Sequence, residues 1–199
     1  MRNGDFPVIV IGASAGALEP LKTLFAELPA DLNAAIFVVL HVAASGKGFL
    51  PDILNKAGHL YAHHVRTSDS IRPGEVYIAP PNQHLVIEDH TALATSAPKE
   101  NHARPAINPL FRSAALAYGS RVIGVILSGT LDDGTAGLWE IKRRGGTSIV
   151  QSPEDASYPQ MPNSAIAHVD VDHIVPVSEM AKLLNLLCKS ESAHEQRKD

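Results

Sequence analysis

Apolar positions along this chain follow two alternating rhythms. Short unbroken runs rich in β-branched residues, Val8-Ile9-Val10-Ile11, Ile36-Phe37-Val38-Val39-Leu40 and Val122-Ile123-Gly124-Val125-Ile126-Leu127, stand out first. Between them lie stretches where apolar residues recur every three or four positions, such as Leu18, Leu21, Leu24, Phe25 and Leu28. The runs read as strands buried on both faces, as in parallel sheets, and the spaced pattern as amphipathic helices covering them. The pattern predicts strands over 7–11, 34–40, 75–79, 121–127 and 147–151, and helices over 17–28, 49–57, 108–118, 134–144 and 178–189. Such alternation argues for an α/β domain with a doubly wound, mostly parallel sheet and helices on both faces.

Two segments break the rhythm. In 61–95, Pro73-Gly74 marks a turn, and 83–88 with 91–95 predict a hairpin around Asp89-His90, a small antiparallel excursion attached to the main sheet. Residues 152–161 hold two prolines and read as a loop, as do the small residues Ala43-Ala44-Ser45-Gly46-Lys47-Gly48. Gly145-Gly146 should stop the preceding helix. One domain over 1–189 and a disordered polar tail over 190–199 are expected.

Composition narrows the classes. A length of 199 residues with 45% apolar content suits one domain with a sizeable core. A net charge of −4 lacks the basic footprint of a nucleic-acid binder. The single cysteine, Cys188, excludes an internal disulfide and a multi-thiolate metal site, and its place in the last helical pattern makes it a packed residue. No apolar run reaches the ~18 residues of a membrane span or has the form of a signal peptide. A cytoplasmic protein with no membrane insertion, no metal and no cofactor is therefore expected.

The chemistry gathers at strand ends, outside which parallel sheets bind their ligands. Ser14 lies in Gly12-Ala13-Ser14-Ala15-Gly16 just past the first strand, His41 closes the second run, and Asp132-Asp133-Gly134 follows the run ending at Leu127. The Gly-x-Ser-x-Gly pattern suits a nucleophile on a sharp strand-to-helix turn, where free helix amides favour an oxyanion. A plain turn with a serine cap is the commoner use of the same residues. A dinucleotide fingerprint would need the middle glycine that is missing here. His41 would be a general base if it reached the Ser14 hydroxyl; a hydrogen-bonded core histidine is the plainer alternative. Asp-Gly is either a capped turn or a carboxylate that orients the histidine. The order Ser, His, Asp differs from the Ser, Asp, His order of α/β-hydrolases. His59, His63 and His64 read as solvated surface near a helix end, and His168 and His173 as ordinary strand or loop positions. His84, on the antiparallel excursion, is a candidate to face the cleft.

Five blocks carry a resemblance: Val10-Ile11-Gly12-Ala13-Ser14; Leu40-His41; Tyr77-Ile78-Ala79-Pro80; Arg104-Pro105 with Leu110-Phe111-Arg112-Ser113; and Gly124-Val125-Ile126-Leu127-Ser128-Gly129 with Asp133-Gly134. In order and spacing, over about 8–187, they resemble the catalytic domain of the chemotaxis-receptor protein-glutamate methylesterases, the CheB type. The resemblance implies Ser14 as nucleophile, His41 as base and Asp133 as orienting acid. It implies an oxyanion or substrate groove that includes Ala15, Thr130, His84 and Arg104. It implies hydrolysis of glutamate γ-methyl esters on cytoplasmic helices of chemoreceptor-like proteins, releasing methanol, with glutamine deamidation in some relatives. A separate response regulator or a methyltransferase would be a further partner.

The chain departs from the family's usual residues at several positions. Ala15 and Ala17 replace a threonine and a glycine beside the nucleophile, Val42-Ala43-Ala44-Ser45 follows the histidine, and Thr130 and Leu131 replace a methionine and a glycine before the acid. These changes motivate a competing reading, a non-catalytic adaptor that binds a receptor or methyltransferase; retention of serine, histidine and aspartate together speaks against it. A receiver domain, common in the family, would not fit ahead of Ser14, so activity without phosphorylation is expected.

Overall fold

The computed structural model describes residues 6–41 and 48–195, with side chains through 189. In chain order its elements are β1 (Val8–Ala13), α1 (Leu18–Glu27), β2 (Ala35–Leu40), α2 (Leu50–Ala57), β3 (Tyr61–His64), β4 (Ser68–Ser70), β5 (Glu75–Ile78), β6 (His84–Glu88) and β7 (Thr91–Thr95). Then come α3 (Ile107–Tyr118), β8 (Val122–Ile126), α4 (Thr135–Arg143), β9 (Thr147–Gln151), α5 (Gln160–His168), β10 (His173–Val175) and α6 (Val177–Glu195). Seven strands form one parallel sheet in the order β10-β9-β8-β1-β2-β5-β3, and β4-β7-β6 form a small antiparallel sheet.

The unbroken apolar runs are explained by burial on both sides. Ile9 and Ile11 face a core built with Leu21, Leu24 and Phe25 of α1 and Met180, Leu184 and Cys188 of α6. Their neighbours Val8 and Val10 face the opposite core, with Leu85, Phe111, Leu138 and Met161. Every residue of β1 is buried. β1 is flanked by β2 on one side and β8 on the other, so chain connections leave in opposite directions there. This is a topological switch point, where open α/β sheets place their ligands.

Most expected elements form, several with shifted bounds. Asp89 and His90 turn the β6–β7 hairpin at φ 46° and 60°, the left-handed pair that a tight two-residue hairpin requires. Gly145, at φ 83°, ends α4, and the Gly146 amide donates to the Ile141 carbonyl at 2.9 Å. Cys188 is buried in α6.

Other expectations are corrected. Within 61–95 only β4, β6 and β7 are antiparallel; β3 and β5 extend the main sheet, because Val76, Tyr77 and Ile78 are buried beside β2. His63 and His64 therefore sit half-buried on a strand. Nε2 of His63 is 3.5 Å from Asp69 Oδ2, and Nε2 of His64 is 2.9 Å from the Gly48 carbonyl. The loop expected over 152–161 forms over 152–159, and its last two positions instead begin α5, whose Pro162 falls in the first turn, where a missing N–H is tolerated. His168 ends that helix. The last helix runs on to Glu195, into the expected disordered tail, since 190–195 contain neither glycine nor proline. Residues 196–199 and most of the small-residue loop (42–47) lie outside the described residues. Among the described residues no helix is long and apolar enough to cross a membrane.

Candidate active site

β1, β2 and β8 bring three side chains together at their carboxyl ends. His41 Nδ1 lies 3.2 Å from Ser14 Oγ, and His41 Nε2 lies 2.9 Å from Asp133 Oδ2. An ionised carboxylate only accepts, so Nε2 carries the proton and donates to Asp133. Nδ1 then presents its lone pair to the Ser14 hydroxyl. Relative to the familiar protease arrangement, in which Nε2 faces the serine, the imidazole is used the other way round. Turning the ring over would point carbons at both partners, so the roles of the two nitrogens are fixed by position.

The serine sits on a turn closed by the Ala17 amide donating to the Ser14 carbonyl at 3.2 Å, with Gly16 at φ +74°. The positive φ falls on the glycine, as a type II turn demands, and not on the nucleophile. Gly12 serves packing instead: a Cβ there would lie 2.5 Å from Ile107 Cγ2. The turn is held from β8. Ser14 N–H donates to the Ser128 carbonyl at 3.0 Å, and Ser128 Oγ donates to the Ala15 carbonyl at 2.8 Å while accepting from the Tyr158 amide at 2.9 Å. The Ser14 amide is thus spent. Among the described residues no hydrogen bond takes the amides of Ala15, Gly16 or Thr130.

Asp133 is buried and fully occupied. Its Oδ2 accepts from His41 and from the Ile107 amide at 2.7 Å; its Oδ1 accepts from Asn101 Nδ2 at 3.0 Å and the Asn108 amide at 3.2 Å. Burial pushes the carboxyl upward, but the His41 hydrogen bond, the two amides and the positive end of α3 together hold it below the usual value. It is a permanent anion beside the histidine. Asn101 reaches it from a two-residue hairpin, Asn101-His102 at φ 48° and 60°, closed by reciprocal Glu100–Ala103 backbone bonds.

A cleft of about 570 Å³ opens beside this chain of bonds. One bank is His41 with Thr130–Asp133, and the other is Lys99 with Asn101–Pro105. A second groove of about 660 Å³ shares Asn101 and Asp132 and continues past Trp139. Of the groove residues expected from sequence, Thr130 and Arg104 line the cleft, although Arg104 spends its guanidinium on Asn82 and the Ser96 and Ala97 carbonyls. Ala15 is half-buried in the nucleophile turn. The placement of His84 is corrected: it is buried behind the cleft, where its ring bridges the Pro98 carbonyl at 3.0 Å and the Ala106 amide at 3.1 Å. Its strand turns that side chain inward, toward the segment leading into α3. Ser128, Asn101 and Asn108 escaped the sequence reading because their types read equally well as turn and cap residues. Among the described residues no group of histidine, cysteine or carboxylate side chains could hold a metal ion.

A hydrogen-bonded serine, histidine and aspartate at the switch point of a doubly wound sheet defines an α/β protein with a serine-hydrolase type of site. The chain matches the CheB methylesterase family model over residues 9–184 and belongs to that family. It is 38% identical over 180 residues to a Leptospira interrogans protein provisionally named a protein-glutamate methylesterase/protein-glutamine glutaminase, covering 90% of this chain and 93% of that one. It is 37% identical over 188 residues to protein-glutamate methylesterase/protein-glutamine glutaminase 2 of Anaeromyxobacter dehalogenans, covering 94% of this chain and 55% of the relative. The chain thus spans about half the length of several relatives it matches. The crystal structure of the Thermotoga maritima CheB methylesterase catalytic domain superposes with a TM-score of 0.87 at 31% identity, covering 92% of this chain and 98% of that one.

Proposed function

We propose that this chain is a protein-glutamate methylesterase that cleaves glutamate γ-methyl esters on chemoreceptor-like signalling proteins, with glutamine deamidation as a second reaction of the same site. The observation that carries this reading is the continuous bond from Ser14 Oγ through His41 to Asp133. His41 Nδ1 takes the hydroxyl proton as Ser14 Oγ attacks the ester carbonyl. Asp133 holds the tautomer and stabilises the imidazolium. The amides of Ala15 and Thr130 are the oxyanion donors, a role in which a single donor is worth roughly 10²–10³ in rate. The tetrahedral intermediate collapses, the C–O bond to the methoxy group breaks, and His41 returns the proton, releasing methanol. Water, deprotonated by His41, then hydrolyses the acyl-serine to a free glutamate and regenerates Ser14. With a glutamine substrate the leaving group is ammonia and the remaining steps are the same. The substrate helices lie on the cytoplasmic side of the membrane, and the enzyme works there.

The test is methanol release from chemoreceptor cytoplasmic fragments methylated beforehand, comparing the unmutated protein with Ser14→Ala. Release by the first and none by the second is expected. A fluorophosphonate probe should label Ser14 in the same preparation. Labelling without methanol release would point to a different ester, and neither labelling nor release would leave the fold as a binding module.

A further inference from the structure

The loop from Gly129 to Asp133 is held by hydrogen bonds to its backbone at Gly129, Leu131 and Asp132. The Gly129 amide donates to the Tyr158 carbonyl at 2.9 Å, and the Gly129 carbonyl accepts from Met161 at 3.0 Å. The Leu131 amide donates to Gln160 Oε1 at 3.1 Å, and the Asp132 carbonyl accepts from Thr135 at 3.1 Å. That path sets Leu131 at φ +64°, a conformation that crowds any Cβ. The other non-glycine residues with positive φ are Asn82, Asp89, His90, Asn101 and His102, all of types that accept the left-handed region readily. Leu131 is the aliphatic exception among the described residues.

Its packing does not explain it either. Leu131 is 68% exposed, on the lip of the cleft that holds His41 and Thr130. The backbone asks for glycine or asparagine and the solvent asks for a polar side chain, so neither local geometry nor the core selects leucine. Strained, exposed residues beside reacting groups mark places where something binds. The cleft and the adjoining groove meet at Asn101 and Asp132, and their combined extent exceeds what one methyl-glutamyl side chain fills. The occupant is therefore a polypeptide segment, with residues on both sides of the ester in contact with the lip.

We infer that Leu131 is a specificity-determining residue that grips an apolar side chain flanking the methylated glutamate, one helical turn away on the substrate. This rests on the methylesterase reading. Residues three and four positions apart share one face of a helix, so a flanking leucine at that spacing comes to the lip together with the ester.

The test uses two helical peptides carrying one γ-methyl glutamate, with leucine or with serine three and four positions away. Methanol release is measured for the unmutated protein, Leu131→Gly and Leu131→Asn. The unmutated protein should prefer the leucine peptide by about tenfold in kcat/KM, expressed in KM, the worth of one partly buried apolar side chain. Both variants should lose that preference while keeping a melting temperature no lower than the parent's. No preference in the unmutated protein, or one that survives in either variant, overturns the inference and leaves the methylesterase intact. Loss in the glycine variant alone would trace to loop flexibility and also overturns it. No methanol from either peptide, with Ser14 still labelled by fluorophosphonate, overturns the methylesterase reading and this inference with it.

Discussion

Asn108 and Asp133 cap each other's helices. From the first turn of α3, Asn108 Oδ1 accepts from the Gly134 amide at 3.2 Å and the Gly137 amide at 2.8 Å, at the start of α4. From just before α4, Asp133 accepts from the Ile107 and Asn108 amides at the start of α3. The same carboxylate orients His41. The acid of the site is thus built into the junction of two helices, and its position follows from their packing.

Removing one half of this exchange should loosen both helices. Asn108→Ala leaves the Gly134 and Gly137 amides buried without an acceptor, a loss of about 2 kcal/mol. For a domain of this size the melting temperature should fall by roughly 4–8 °C. Methanol release should fall with it, because the start of α4 is no longer tied to α3 and Asp133, just before it, shifts against the α3 amides that set its angle to His41. Thermal melts and initial rates on the same preparation check both; an unchanged melting temperature would mean that the exchange contributes nothing to stability.

The depressed Asp133 carboxyl gives a second, pH-resolved expectation. Its folded value lies below the ordinary 3.8, so the folded state binds its proton less readily than the unfolded chain does. The stabilisation is complete above the unfolded value, near pH 4, and is lost as pH falls through the lower folded value. In urea titrations from pH 7 to pH 3, the gap in stability between the unmutated protein and Asp133→Asn should stay constant to about pH 4 and then narrow. A gap that narrows already between pH 7 and 5 would contradict a permanent anion. At neutral pH the variant should also lose methanol release by roughly 10⁴-fold, as when a triad carboxylate is replaced by an amide.

Gly12 connects the first strand to this junction. A Cβ at that position would meet Ile107 Cγ2 at 2.5 Å, and the Ile107 amide is one of the donors to Asp133. Gly12→Ala should cost about 1–3 kcal/mol by overpacking. It should lower kcat more than its stability loss alone would, since α3 must shift away from β1 and take the Asp133 donors with it. A calorimetric melt paired with kcat at a temperature well below unfolding separates the two effects; a destabilised variant with parental kcat would show that α3 moves without disturbing the acid.

Much of this was legible in the chain, and the exceptions share a cause. β1, β2 and β8 declared themselves because burial on both faces leaves unbroken apolar runs, and their ends named Ser14, His41 and Asp133. β3 did not, because an edge strand of Tyr61-Ala62-His63-His64 carries polar residues on a half-exposed face. α5 was hidden by Pro159 and Pro162, which mark a helix start as readily as a loop. His84 was misplaced because local sequence does not say which face of the small sheet meets the core. Asn101, Asn108 and Ser128 act through partners 23 to 113 residues away in the chain, on α4, on β9 and in the turns before α4 and after β1. Such distances leave no local pattern to read.

Ser128 offers the sharpest separation of scaffold from chemistry. Its hydroxyl binds the Ala15 carbonyl and the Tyr158 amide, while its own amide donates to Gln151 Oε1 at 2.8 Å. The Ala15 carbonyl belongs to a trans peptide whose N–H, that of Gly16, points the opposite way. Fixing that carbonyl fixes the Ala15–Gly16 peptide plane and, through the Ala15 Cα, restrains the Ala15 amide, the oxyanion donor of the nucleophile turn. In Ser128→Ala the backbone bonds from Ser14 and to Gln151 remain, so the strand end keeps its place while the turn loses its tether. The expected result is a loss of about tenfold or more in kcat with little change in KM, the signature of donors displaced from a developing oxyanion. Labelling of Ser14 by a fluorophosphonate should slow in parallel, because its adduct places an oxygen on the same amides. A fall in melting temperature with kcat and labelling unchanged would assign Ser128 to the scaffold alone.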